Sequence, residues 1–285
     1  MSNPFESGKG RYRPLRLVYS GNYARLWRMR DTRSGVDVGL KILLPGAMRD
    51  RAQVALLRHE YALGSKLDLP GLVRAYEWGK EGGCYYYTME WFSAPSVKEL
   101  ILLGYENYAP VLPVLIPKLF EPVIALAGAG YIHRDIKPDN YLFAPERGIR
   151  LIDYGLVQRS GGWWRRFIPR GKTTQGTATY MSPEQIRKEP LDERADLYCL
   201  GGTIVELLTG SVPFSGTSLN DLLGKHLSGQ IPSILSKNKN VTEEFNQLVR
   251  SMLAPRREDR PRTVADAYAA LKRVRMFVNP PKPMG

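Results

Sequence analysis

The sequence predicts an α+β protein of two unequal lobes, a small strand-rich one followed by a larger helical one. Three observations carry that expectation. From Tyr12 to about Phe92, short runs of β-branched, aromatic and aliphatic residues alternate with turn signals. Within that region one stretch, Asp50 to Lys66, spaces its apolar residues for a helix instead. After Pro95 the pattern changes to long apolar helical runs.

In chain order, LRLVYS, ARLWRMR and VDVGLKILL read as strands, with Arg33-Ser34-Gly35 supplying a hairpin turn. Leu56, Leu63 and Leu67 lie near one face of the helix that follows, and CYYYTMEWF reads as a buried strand. Val114 to Gly130 and Ala195 to Gly210 are helical runs closed by the C-cap signals Gly128/Gly130 and Gly210. Val241 to Leu253 and Thr263 to Phe277 read as further amphipathic helices, the last opened by a Thr263 cap with Asp266 three positions on. The tail NPPKPMG is proline-rich and expected to be mobile. A cleft between two such lobes is a favoured place for a ligand.

With 285 residues and 43% hydrophobic content, the chain can bury one large domain or two lobes. No apolar run of the ~18 residues that a spanning helix needs stands out, and the start lacks the apolar core of a secretory signal. The expectation is a cytoplasmic protein. Cys84 and Cys199 stand far apart among apolar neighbours and read as buried free thiols. His59, His133 and His226 offer no metal-ligand spacing. The formal charge of +13 asks for a polyanionic partner. Nucleotide phosphates, acidic proteins, nucleic acid and anionic lipid all qualify, though no nucleic-acid-binding module is recognisable.

The strongest chemical signal is the octet His133 to Asn140, HRDIKPDN. Phosphoryl transfer needs an acceptor for the attacking hydroxyl's proton and oxygen ligands for metal on the triphosphate. Asp135 offers the first, the amide oxygen of Asn140 the second, and Lys137 a charge to neutralise the moving phosphoryl group. Downstream, LIDYG is an apolar strand that ends in the carboxylate of Asp153, a donor that suits Mg²⁺. Upstream, alternation turns Val38, Leu40 and Ile42 to one face of a strand and Lys41 to the other.

The octet closely resembles the catalytic loop of eukaryotic-like (Hanks-type) serine/threonine protein kinases, and the other motifs follow in that family's order. The resemblance covers roughly 11–277 and implies a bilobal protein-kinase-like fold, with an N-lobe over 11–92, a C-lobe over 93–277, and flexible termini at 1–10 and 278–285. It implies that ATP and Mg²⁺ are bound, that Lys41 holds the α/β-phosphates and pairs with a helix carboxylate assigned to Glu60, and that Asn140 and Asp153 ligate the metal. Glu90 and Phe92, in the hinge-like Met89 to Phe92, would hold adenine through their backbone groups. The glycine-rich lid is where the chain departs from the family. The three glycine positions fall on Tyr19, Gly21 and Ala24, Leu26 replaces the usual valine, and Gly39 replaces the usual alanine above adenine.

Gly176-Thr177 and Tyr180 to Glu184 resemble the segment that closes the activation loop, and imply a protein substrate bearing Ser or Thr. Glu184 is expected to pair with Arg260, and Asp196 to brace the catalytic-loop backbone. Arg134 marks the subgroup whose loop is ordered by phosphorylation, for which Thr173 and Thr174 are the candidate sites, with self-association as a route to autophosphorylation. Thr177 is assigned to contacts with the catalytic loop. Trp163, Trp164, Arg165 and Arg166 read either as a solvated loop or as a cluster for an acidic partner, a second kinase or a membrane surface. A rival reading, a pseudokinase that binds nucleotide or acts as a scaffold, draws on the depleted lid and on Gly64, where many kinases carry a bulky residue.

Overall fold

Strands form where the first lobe alternates apolar and polar residues. In this computed structural model, which describes residues 10–161 and 178–281, they make one antiparallel sheet. Its members are β1 (Tyr12–Ser20), β2 (Ala24–Asp31), β3 (Asp37–Leu43), β4 (Ala75–Glu81) and β5 (Cys84–Glu90), in the order β1-β2-β3-β5-β4. Gly35, at φ +68°, closes the β2–β3 turn by donating its N–H to the Asp31 carbonyl. The period of two on β3 holds: Val38, Leu40 and Ile42 pack with Tyr12, Met29, Cys84 and Tyr86, while Lys41 turns to the opposite face. There α1 (Arg51–Lys66) covers the sheet. It is capped by the Asp50 carboxylate, which accepts from the Ala52 N–H at 2.8 Å. Its buried line runs through Gln53, Leu57, Glu60, Leu63 and Gly64. Leu57, not the expected Leu56, is therefore the inward residue of the second turn; Leu56 is half-buried and reaches toward Gly155.

The second lobe is built around α4 (Leu112–Gly128), preceded by α2 (Val97–Leu102) and α3 (Tyr105–Tyr108). α4 starts two residues before the expected Val114, with Pro113 in its first turn, where the missing N–H costs nothing. Its residues Leu112, Leu115, Ile116 and Leu119 are wholly buried. The helical stretch Tyr105–Gly128 contains an 18-residue window with a mean hydropathy of 1.7, long and apolar enough to cross a membrane by length and composition alone. That corrects the expectation that no such run exists; here its apolar stripe is packed inside the lobe core.

Short strands β6 (Tyr131–Ile132), β7 (Tyr141–Ala144), β8 (Gly148–Leu151) and β9 (Gln158–Arg159) follow. Then come α5 (Pro183–Arg187), α6 (Glu193–Thr209), α7 (Leu219–Ser228), α8 (Glu243–Met252) and α9 (Val264–Leu271). Gly210 ends α6 at φ +66°, and the Thr263 hydroxyl caps α9 by accepting from the Asp266 N–H. α9 stops at Leu271 rather than running to Phe277. The chain beyond it is drawn toward α8, where the Thr242 N–H donates to the Met276 carbonyl and Phe277 pairs with Val241. Val278 and Asn279, assigned to the tail, donate their N–H groups to Asn240 at 2.7 and 2.8 Å. Cys84 and Cys199 are free and buried, as their apolar neighbours predict.

His226, on α7, is buried beside Phe214 with its Nδ1 2.8 Å from the Tyr198 hydroxyl, and burial pulls its pKa down from 6.5 to about 4. The folded protein thus keeps the imidazole neutral in a range where the unfolded chain protonates it. Its contribution to stability is complete above pH 6.5 and is lost as pH falls from 6.5 toward 4, at up to about 1.4 kcal/mol per pH unit. Urea unfolding of wild type and His226→Gln across that range is expected to show a flatter profile for the variant.

Candidate active site

The catalytic loop between β6 and β7 is positioned by a carboxylate from below. Asp196, buried on α6, accepts from the His133 N–H at 2.6 Å and the Arg134 N–H at 2.7 Å. Burial pushes its pKa up, against the pull of His133 and these N–H groups. Gln185 on α5 donates to the Arg134 carbonyl at 2.9 Å. Arg134 is thereby held at φ +72°, a left-handed conformation that a non-glycine residue adopts only when its surroundings impose it.

The next residue is Asp135. Lys137 Nζ lies 2.7 Å from Asp135 Oδ2, and Asn140 Nδ2 donates to the same oxygen at 2.9 Å and to the Asp135 carbonyl at 2.7 Å. Both neighbours converge on one oxygen, and Oδ1 takes no hydrogen bond among the described residues. Burial opposes the Lys137 charge, but Asp135 outweighs it and raises the lysine's pKa. Because the amide nitrogen of Asn140 is committed to Asp135, its side-chain oxygen is the end available as a ligand.

Asp153 follows β8 at φ +70°, and its Oδ1 accepts from the Gly155 N–H at 3.2 Å. The side chain is solvent-accessible, as expected of a group that opens into a cleft. The surrounding protein tends to raise its pKa, but Lys41 and Lys137 prevail and lower it, so the carboxylate stays ionised. One accessible carboxylate and one amide oxygen fit Mg²⁺, which takes few protein ligands and fills its octahedron with water and phosphate.

Lys41 reaches Glu60 of α1 at 2.5 Å, and the same carboxylate oxygen accepts from the Tyr87 hydroxyl of β5 at 3.0 Å. Burial works against both charges; Glu60 and Asp153 more than offset it at Lys41, whose pKa is raised. Tyr87 is a supporting residue that the sequence did not mark. Its one signal is alternation, since it stands opposite Lys41 in the β3–β5 ladder.

Gly64 has a structural reason. A Cβ there would lie 3.0 Å from Ala75 Cβ and 3.1 Å from Tyr154 Cε2. The buried Tyr154 ring fills the space, and its hydroxyl donates to the Val73 carbonyl at 2.6 Å. The glycine that favoured a scaffold reading is the partner of the larger aromatic next to Asp153. Gly39 follows the same logic: its missing side chain is replaced by Met89, whose Cγ would lie 3.0 Å from a Cβ at that position.

At the lid, the Gly21 N–H donates to the Ala24 carbonyl at 3.0 Å and closes the β1–β2 turn. The Tyr19 ring crosses Gly21, where a Cβ would meet its hydroxyl at 2.7 Å. Leu26 stands between Tyr19 and Lys41 across three strands. At the hinge, the Glu90 N–H is taken by the Arg74 carbonyl, while the Phe92 N–H has no partner among the described residues. Arg150 on β8 pairs with the Glu90 carboxylate at 3.0 Å, and both Arg147 and Arg150 stack on the Phe92 ring. These two arginines, like Gln185, carry no motif.

Farther out, Glu184 and Arg260 meet as expected in a two-pronged pair at 2.7 and 2.8 Å, with side-chain exposures of 3% and 0%. The Arg134 guanidinium donates to the Leu156 carbonyl and to Gln158. Trp163 to Arg166, Thr173, Thr174, Gly176 and Thr177 lie outside the described residues.

A strand-rich lobe carrying a lysine–glutamate pair, set against a helical lobe carrying Asp135, Asn140 and Asp153, defines a protein of the kinase class. A profile of the protein kinase domain matches residues 12–271, and the chain belongs to the protein kinase family. It is 29% identical over 267 residues to the serine/threonine-protein kinase PrkC of Bacillus subtilis, covering 92% of this chain and 40% of that protein. It is 30% identical over 273 residues to PknL of Mycobacterium tuberculosis, covering 94% and 66%. With PknB of Mycolicibacterium smegmatis it shares 27% over 272 residues, covering 93% and 43%. The chain thus spans only part of the length of these relatives.

Two substitutions test this geometry. Glu184→Gln leaves a buried guanidinium without its counter-charge and is expected to cost about 3–5 kcal/mol in denaturant unfolding. Gly64→Leu forces the Tyr154 ring aside and misplaces Asp153. Phosphoryl transfer is expected to fall on the order of 100-fold, while the unfolding midpoint falls far less than for Glu184→Gln.

Proposed function

We propose that the chain is a serine/threonine protein kinase, transferring the γ-phosphoryl group of ATP to Ser or Thr hydroxyls of proteins with Mg²⁺. The observation that carries this reading is Asp135. One of its oxygens is fixed by Lys137 and Asn140 and the other is left open, beside a cleft that also holds Lys41 and Asp153. The open oxygen orients the acceptor hydroxyl and receives its proton as the new O–P bond forms and the bond to the β-phosphate oxygen breaks. Lys137 stands where it offsets charge on the transferring group. Lys41, held by Glu60, supplies a fixed cation for the α/β-phosphates, and the Phe92 N–H offers adenine a donor. Mg²⁺, held by Asn140 and Asp153, would neutralise the triphosphate. The chain's own share of the rate comes from positioning and fixed charge.

The scaffold reading loses the share of its support that came from Gly64, since that glycine accommodates Tyr154; the depleted lid is what it still draws on. Regulation through phosphorylation of Thr173 or Thr174, self-association for that step, and contact of the basic loop with a membrane belong to the same proposal. So does a cytoplasmic location, which suits two buried free thiols and an ATP-consuming site.

The test is transfer of labelled phosphate from ATP to a generic protein acceptor with Mg²⁺. Asp135→Asn is expected to lower the rate by about 10²–10⁴-fold, and Lys41→Met to lower it as well. Equal incorporation by wild type and both variants would overturn the assignment.

A further inference from the structure

Two bulges in β1 alter which residues share a face. The register skips Leu15 and Val18, so Arg13, Arg16 and Tyr19, each three residues apart, stand opposite Arg30, Arg28 and Leu26 of β2. On β3, Lys41 opposes Leu26, Gly39 opposes Arg28 and Asp37 opposes Arg30. The face that carries Leu26 and Lys41 into the cleft therefore continues outward as two cross-strand arginine pairs. Partners directly opposite on a sheet lie about 5 Å apart, and like charges in such pairs destabilise it. Nothing in the fold of this lobe requires that cost.

Asp37 offsets part of the charge. Arg28 Nε donates to its Oδ2 at 2.7 Å, Arg30 Nε lies 2.5 Å from its Oδ1, and the Arg28 guanidinium also lies over the Trp91 ring. These contacts hold two guanidiniums in place while leaving their side chains 38% and 47% exposed. Arg13 and Arg16 are exposed and take no hydrogen bond or ion pair among the described residues. Four guanidiniums thus share the face with one carboxylate.

Two guanidinium forks held on one carboxylate, with two unbonded arginines opposite them in the ladder, match a compact tetrahedral dianion, whose oxygens accept paired N–H donors. β1 also exposes Leu15, Leu17, Val18 and Tyr19, but Leu17 stands with Trp27 on the other face, Leu15 and Val18 sit in the bulges and Tyr19 lies at the lid, so these side chains do not line up beside the arginines as a surface for entering a bilayer. The β1 edge is itself blunted by Pro14 and the two bulges, which disfavour addition of a further strand. The ligand is therefore one that the side chains grip. We propose that this face docks a phosphorylated acidic segment of a protein substrate, through phosphoserine or phosphothreonine, beside the mouth of the cleft. The word substrate rests on the kinase reading; the binding does not.

The test uses the full chain carrying Asp135→Asn, so that bound peptide is not turned over. A fluorescein-labelled acidic peptide with one phosphoserine, and its unphosphorylated twin, are titrated by fluorescence anisotropy. The phosphopeptide is expected to bind at least about tenfold tighter than its twin, with affinity falling as salt is raised. Adding Arg13→Ala and Arg16→Ala is expected to remove about tenfold of that affinity and to leave the thermal midpoint no lower, and slightly higher as the like-charge pairs are relieved, since neither side chain is bonded in the fold. Equal binding of the two peptides, or undiminished affinity in the double variant, overturns the proposal. Tighter capture by phosphatidylserine vesicles or single-stranded RNA than by the phosphopeptide also overturns it. In the otherwise wild-type chain, the double variant is expected to raise KM for phosphorylated acidic peptides while kcat and KM for ATP stay unchanged. A chain inactive on every acceptor that still binds phosphopeptide through Arg13 and Arg16 overturns the kinase reading and supports the docking face.

Discussion

Asp196 is a charge with almost no access to water, kept there by two backbone N–H groups that belong to the catalytic loop. The dependence runs both ways. A buried carboxylate must be hydrogen-bonded to be tolerated, and the loop needs an acceptor if His133 and Arg134 are to turn their N–H groups inward. Once that exchange is made, Arg134 is forced left-handed and Asp135 is presented to the cleft. Lys137 and Asn140 then choose between the two oxygens of Asp135. The chemistry at the top of the loop is set by a residue on a helix that never meets the ligand.

The candidate-site residues Asp135, Asn140, Asp153 and Lys41 were legible in the sequence because each stands in a recognisable motif, and the structure brings them together. The two-lobe division was legible too, since a period of two gives way visibly to helical spacing after Pro95. Supporting residues were not. Tyr87, Arg150 and Gln185 act through contacts distant in sequence, and a tyrosine or arginine in a strand announces nothing about what lies opposite. The paired exchanges of Gly64 with Tyr154 and Gly39 with Met89 were hidden for another reason. Each glycine taken alone looks like a loss, and only the volume on the far side shows it to be an accommodation. The end of α9 is hidden in the sequence because helical spacing persists past Leu271, while the pull of Thr242 and Val241 comes from another part of the chain.

Local conformation and charge agree at the site. Among the described residues, Arg134, Asp153 and Lys188 are the non-glycine positions with positive φ, and the first two bracket the catalytic machinery. Such conformations cost on the order of 1–3 kcal/mol each. They persist because Asp196 and Gln185 grip one, while the Gly155 N–H and the buried Tyr154 grip the other.

The clamp on the hinge bears on how the two lobes flex. Arg150 belongs to the helical lobe, yet it grips Glu90 and lies against Phe92. The Glu90 end of β5 and Phe92 are thereby tied to the helical lobe. On the kinase reading, adenine held there would keep its place relative to Asp135 and Asp153, while Lys41 and the Tyr19–Gly21 lid, which belong to the sheet, would carry the approach to the phosphates.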